Sequence, residues 1–316
     1  MNTDELSTAG PSSTLRAYFE LVRLPNLFTA MADVTMGFLY THGEFGPGDA
    51  WTLGPLLASS TSLYAAGVVL NDVCDAEIDA RERPGRPIPS GRVSLRAARR
   101  LGWALLLLGA GLAIAAAVVS GVFRPAVVGV VLAGCVVLYD GYLKRTPAGP
   151  IAMGTCRMLN VLLGMSVLPL AWRAEHWLVA AALGTYIVGV TWLARHEAER
   201  PSRWQLALAT VVILAGMGLL VPLPAAAEDP ILSLQIDPSR WYLLILILGG
   251  LTGWRCLHAV VDPYPENVRT AVRHCIHTVV ILDAVACYVV RDVRGAVVVL
   301  FFLLPTVFLG RWIDAT

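Results

Sequence analysis

Asn71, Asp72, Asp75 and Asp79 lie in the stretch NDVCDAEIDARERPGRPIPSG, which begins where an apolar run ends. On a helix, residues three, four and seven apart share a face, so Asp72, Asp75 and Asp79 can point one way with Asn71 beside them. Three carboxylates on one face repel each other, and a divalent cation between them removes that cost. Magnesium takes oxygen ligands, usually one or two carboxylates plus substrate phosphates. Arg81, Arg83, Arg86 and Arg92 follow directly. Guanidinium groups fork onto phosphate oxygens, so acid followed by base suits a metal–phosphate complex. The plainer alternative is a solvated, charged loop between two helices. The complete NDxxDxxxD pattern at the end of an apolar helix favours the metal.

The elements that must carry these residues are membrane helices. The 316-residue chain is 56% hydrophobic and 15% charged, with mean hydropathy +0.65, whereas soluble domains are about a quarter charged. Several continuous apolar runs approach the ~20 residues that span a bilayer, and their lack of alternation excludes a barrel. The expectation is an all-α polytopic protein of about nine transmembrane helices. A polar tail, residues 1–14, is expected to be disordered, ahead of one transmembrane domain over residues 15–316. No signal peptide is expected, because no short apolar segment with a cleavage site opens the chain. The six cysteines show no CxxC pairing and read as small buried hydrophobes.

Lys and Arg concentrate in alternate loops. Arg81 to Arg100 follow the second apolar helix, Lys144 and Arg145 the fourth, Arg195, Arg200 and Arg203 the sixth, and Arg269 and Arg273 the eighth. The bias of short loops makes that side cytoplasmic. Every loop with chemistry-like residues then converges on one cytoplasmic face of an inner or plasma membrane. The last apolar run, Ala296 to Leu309, leaves nine and ten spans both open. No nucleic-acid partner is expected.

The NDxxDxxxD stretch, the RPIPSGRVS run from Arg86 to Ser94, and Tyr139-Asp140 with Leu143-Lys144-Arg145-Thr146-Pro147 resemble the UbiA superfamily of intramembrane prenyltransferases. The resemblance implies a helical bundle around a central cavity, with Mg2+ held by two acidic motifs and an isoprenyl diphosphate as substrate. Asn71, Asp72, Asp75 and Asp79 match the first motif. Arg86 and Lys144 match diphosphate contacts, and Arg23 and Asn26 are expected to line the cavity. The second motif should fall near Thr191 to Arg203, where the chain reads TWLARHEAERPSR and has no aspartate. Glu197 is expected to be the surviving acid, helped by Arg195 and Arg157. The HEAER pattern, with GPIAMGTCRMLN, is similar to the EboC-like branch.

Other polar residues sit inside apolar runs. A charge at the bilayer centre costs about 2.5–3.5 kcal/mol on insertion scales. Asp33 therefore either faces the cavity or makes a hydrogen bond between helices, and Asp283 reads as structural. Arg157 and Asn160 are three apart and share a face; an intramembrane arginine needs an anion, so a diphosphate contact is expected. The implied reaction is Mg2+-dependent ionisation of an allylic diphosphate, with transfer of the prenyl group to a small acceptor. Cyclisation of the chain onto its own double bonds, as in terpene-cyclase members, and non-catalytic isoprenoid binding are the alternatives.

Overall fold

The computed structural model describes residues 11–42, 45–195, 202–226 and 237–312. Among them the regular structure is all helical. The helices are α1 (Pro11–Leu21), α2 (Leu24–Thr41), α3 (Asp49–Cys74), α4 (Ala76–Glu82), α5 (Leu95–Ser120), α6 (Arg124–Gly141), α7 (Gly149–Met165), α8 (Ala174–Ala194), α9 (Arg203–Gly218), α10 (Leu223–Ala226), α11 (Pro238–Val261), α12 (Pro265–Leu300) and α13 (Leu303–Leu309). A 3-10 turn, Leu143–Arg145, follows α6. Seven stretches among the described residues are long and apolar enough to cross a membrane. The shorter and mostly buried α2 and α7 run beside them through the middle of the bundle. Leucines and valines on the outer faces of α5 and α11, such as Leu107, Val118, Leu246 and Leu251, remain exposed. A contiguous apolar perimeter of this kind suits contact with lipid.

The end of the chain folds back on the bundle. Asp292 leaves helical geometry inside α12, at φ 59°, and just before it Arg291 donates to the Leu39 carbonyl at 2.6 Å, near the end of α2. The chain then returns along α2. Gly310 reaches Pro25, and Arg16 donates to the Trp312 carbonyl at 3.4 Å. The last run thus lies along α2, and the described chain ends beside α1. Residues 11–14, expected in the tail, belong to α1, where Pro11 suits a first helical position. Ala17 and Leu21 of α1 pack against Val69, Val93 and Ala98.

α7 is held closely against α2. A Cβ on Gly164 would lie 2.4 Å from the Val34 carbonyl oxygen of α2, and one on Gly37 of α2 would lie 2.6 Å from that of Val161. The two backbones touch only because neither position carries a side chain, as small residues permit at membrane helix interfaces. Gly164→Ala is expected to cost about 1–3 kcal/mol through overpacking. The check is the thermal unfolding midpoint in detergent, where an unchanged midpoint would contradict this reading.

Candidate functional site

A cavity of about 1380 Å3 opens among α2, α3, α4, α6, α7, α8 and α12. Its walls are apolar over much of their depth, with Leu63, Leu132, Val136, Ile187, Val190, Ile276 and Val279. Its mouth is polar, and local breaks in the chain build that mouth. α3 ends at Asp75, whose φ −96° and ψ 2° lie in the bridge region, a conformation common in active sites. The aspartate motif thus runs over two short-spaced helices, not the single helical face that its spacing suggested. Asp72 and Asp79 are buried, each 5% exposed.

The RPIPSG segment folds back on itself. Ser90 donates to the Arg86 carbonyl at 2.7 Å, Val93 donates to that of Pro87 at 2.9 Å, and Gly91 takes φ 75°. Val93 anchors this turn in the small core under α1. The result aims Arg86 at the motif: its guanidinium lies 2.7 Å from Asp79 and 3.3 Å from Asp72. Arg23 reaches Asp72 from the other side, at 3.3 Å. Its backbone is left-handed, φ 47° and ψ 56°, and so breaks the expected first helix into α1 and α2. For a residue other than glycine this conformation costs about 1–3 kcal/mol and clusters at functional sites. Lys144, on the turn after α6, bridges Asn71 and Asp75, and Arg145 approaches Asp75 at 3.5 Å. Arg195, at the end of α8, donates to the Lys144 carbonyl.

Asn71, Asp75, Asp79, Arg23, Asn26, Arg86, Lys144, Arg157, Asn160 and Arg195 all line this one cavity, with Asp72 directly behind Arg86 and Arg23. Glu197 lies outside the described residues. Arg157 and Asn160 differ in kind from the mouth residues. Arg157 pairs with Asp33 at 2.7 Å and donates to the Thr29 carbonyl at 3.0 Å and hydroxyl at 3.3 Å, with Asp283 3.9 Å away. Asn160 donates to Asp33 at 2.8 Å and to the Ala30 carbonyl at 3.0 Å, and accepts from Ser60 at 2.7 Å. These polar groups are taken up by protein partners across α2, α3, α7 and α12. Arg157 thus lines the cavity while joined to an interhelical network, in which Asp33 accepts from Asn160. Tyr64, Tyr139, Asp140 and Arg269 also face the cavity. Asp140 was legible only as part of the Tyr139-Asp140 match; it stands at the end of α6, just before the turn that carries Lys144.

Among the described residues, no three His, Cys, Asp or Glu side chains converge closely enough to hold a bare ion. The donor chemistry nonetheless fits a hard cation: Asn71, Asp72, Asp75 and Asp79 are all oxygen donors within one polar mouth. Magnesium keeps waters and substrate phosphates in its shell and needs only one or two carboxylates. The acids are meanwhile neutralised by the bases that would turn to a phosphate.

Residues 30–275 match the UbiA prenyltransferase family. The chain is 31% identical over 173 residues to a digeranylgeranylglyceryl phosphate synthase of Saccharolobus solfataricus, covering 54% of this chain and 57% of that one. It is 36% identical over 165 residues to the synthase of the same name from Ignicoccus hospitalis, covering 52% and 51%. The chain spans about half the length of the curated relatives it matches. A solved UbiA homologue from Archaeoglobus fulgidus superposes with a TM-score of 0.60 at 14% identity, over 90% of this chain and 99% of that one. The Archaeoglobus fulgidus homologue bound to GPP and Mg2+ gives 0.58 at 14% identity, over 83% and 99%. These likenesses share the helical bundle, and the family match takes in both the aspartate motif and Lys144. The chain belongs to the UbiA prenyltransferase family.

Proposed function

We propose that this protein is a magnesium-dependent intramembrane prenyltransferase, with its site facing the cytoplasm, that transfers the prenyl group of an isoprenyl diphosphate to a small polar acceptor. One observation carries the reading. Four oxygen donors and the cations Arg23, Arg86, Lys144 and Arg195 crowd the mouth of an apolar-walled cavity. A diphosphate fits the mouth and a hydrocarbon chain fits the walls. The cavity volume, about 1380 Å3, exceeds the roughly 300–1,000 Å3 of single-ligand sites and so accommodates donor and acceptor together. This favours transfer over cyclisation. The relatives' names point to a glycerophosphate-type acceptor.

When bound, magnesium would be held by Asn71, Asp72, Asp75 and Asp79 and would stabilise charge on the departing diphosphate. Arg86 and Lys144 exchange their carboxylate partners for diphosphate oxygens and supply positive charge where negative charge grows. The apolar walls keep water from the allylic cation. Arg23, fixed by its unusual backbone, holds Asp72 in place.

The test is product analysis by mass spectrometry. Purified protein receives Mg2+, C10, C15 or C20 diphosphates, and geranylgeranylglyceryl phosphate as acceptor. A prenylated acceptor that appears with Mg2+ and vanishes on chelation with EDTA is expected. Terpene formed without any acceptor would favour the cyclase reading instead. Tight diphosphate binding without turnover under any condition would favour a non-catalytic carrier.

A further inference from the structure

The stretch expected to hold the second acidic motif leaves a question of charge. α8 brings only Ile187, Val190, Thr191, Ala194 and Arg195 to the cavity, and α12 brings Arg269, Val272, Ile276 and Val279. Neither wall offers an acid. Among the described residues that line the cavity, the carboxylates of α3 and α4 are joined by only one from another helix, Asp140 near the end of α6. Its Oδ2 is buried and accepts no hydrogen bond, whereas Asp72, Asp75 and Asp79 are each held by at least one cation. Leaving a buried acceptor unsatisfied is costly, so such an atom requires an explanation. Asp140 lines the cavity just before the turn that carries Lys144, which itself bridges Asn71 and Asp75, so it stands at the mouth with the motif.

We propose that Asp140 is a ligand of the metal–diphosphate complex, supplying from α6 a carboxylate oxygen of the kind the second acidic motif would otherwise provide. The proposal rests on the prenyltransferase reading and deepens it. Asp140 comes from α6 and the other acids from α3, α4 and the break between them, so a metal-bound diphosphate in the shared mouth would gain a carboxylate from a second wall. Lys144, released from Asn71 and Asp75 by that insertion, stays within reach of the phosphate. The site then needs no aspartate at the end of α8, where Arg195 faces the cavity.

The probe is Mn2+ with geranyl S-thiolodiphosphate, an unreactive analogue, followed by electron paramagnetic resonance of the bound ion in detergent-solubilised protein. Asp140→Asn is expected to weaken Mn2+ binding in the presence of the analogue by about tenfold or more, since even residues behind the ligands cost that much. The thermal midpoint without metal should stay near that of the parent. Asp140→Cys should shift preference from Mn2+ toward Cd2+, because thiolate is a softer ligand; a residue with only a structural role would not move this ratio. Parent-like Mn2+ affinity in Asp140→Asn, with binding lost in Asp79→Ala, would overturn the role of Asp140 and leave the prenyltransferase reading intact. An unchanged Mn2+/Cd2+ ratio in Asp140→Cys would overturn it too, even if the Asn variant failed to fold. Loss of analogue-dependent Mn2+ binding in the parent would overturn both.

Discussion

Asp75→Asn is expected to lower kcat/KM for an isoprenyl diphosphate by about a thousandfold, the scale of several kcal/mol that metal stabilisation of a leaving group supplies. Asp75 sits at the break between α3 and α4, where its side chain meets Lys144 and Arg145. The amide keeps the shape and loses the charge. It leaves Lys144 with Asn71 as a neutral partner and removes a ligand from the site. The companion variant Lys144→Met separates this account from a merely structural one. In the free protein Lys144 competes with metal for Asn71 and Asp75. Removing it should tighten Mn2+ binding in the absence of diphosphate and weaken diphosphate binding in the presence of metal. Opposite signs in two binding experiments are hard to obtain from damage to the fold. If Asp75→Asn retained activity within about tenfold of the parent, the metal role of this residue would be lost.

Much of this site was legible in the sequence because its signals are local. The acid-then-base spacing from Asn71 to Arg92 named the mouth, and hydropathy named the helices that carry it. What sequence could not give is which charges meet. Arg23 and Asp72 are far apart in the chain, and their contact follows from the left-handed break before Pro25 and the docking of α1 on α3. The helical-face argument placed three aspartates on one helix, whereas the structure turns at Asp75, so that Arg86 gathers Asp72 and Asp79 while Asp75 meets Lys144. Arg157 shows the other limit. An arginine in an apolar run needs an anion, and the sequence offered both a ligand phosphate and two intramembrane aspartates. The α2–α7 contact at Gly37 and Gly164 brings the backbones close enough for Arg157 and Asn160 to reach the Thr29 and Ala30 carbonyls. The last apolar run was equally ambiguous, since its direction is fixed by a single non-helical residue, Asp292.

Arg157→Met is expected to destabilise the protein by about 3–5 kcal/mol, the cost of stranding a buried charge when its partner is removed. Asp33 and Asp283 are both fully buried, 0% exposed, and come from α2 and α12. Arg157 of α7 lies 2.7 Å from Asp33 and 3.9 Å from Asp283. Without the guanidinium, Asp33 loses its nearest cation, and Asn160 alone would have to serve it. The effect should therefore appear in the unfolding midpoint in detergent, and also in the shape of the cavity wall that Arg157 and Asn160 line. Removing the charges together reverses the argument. The triple variant Asp33→Asn, Asp283→Asn, Arg157→Met carries no buried charge at this position and should regain stability to within about 1–2 kcal/mol of the parent, because replacing a whole buried ion set by neutral groups is often close to neutral. A triple variant as unstable as Arg157→Met would mean that the hydrogen bonds of Arg157 to Thr29, not its charge, hold α2 to α7. If Arg157→Met were stable but had lost diphosphate affinity, the arginine would be a ligand of the substrate after all, and its pairing with Asp33 would describe only the resting site.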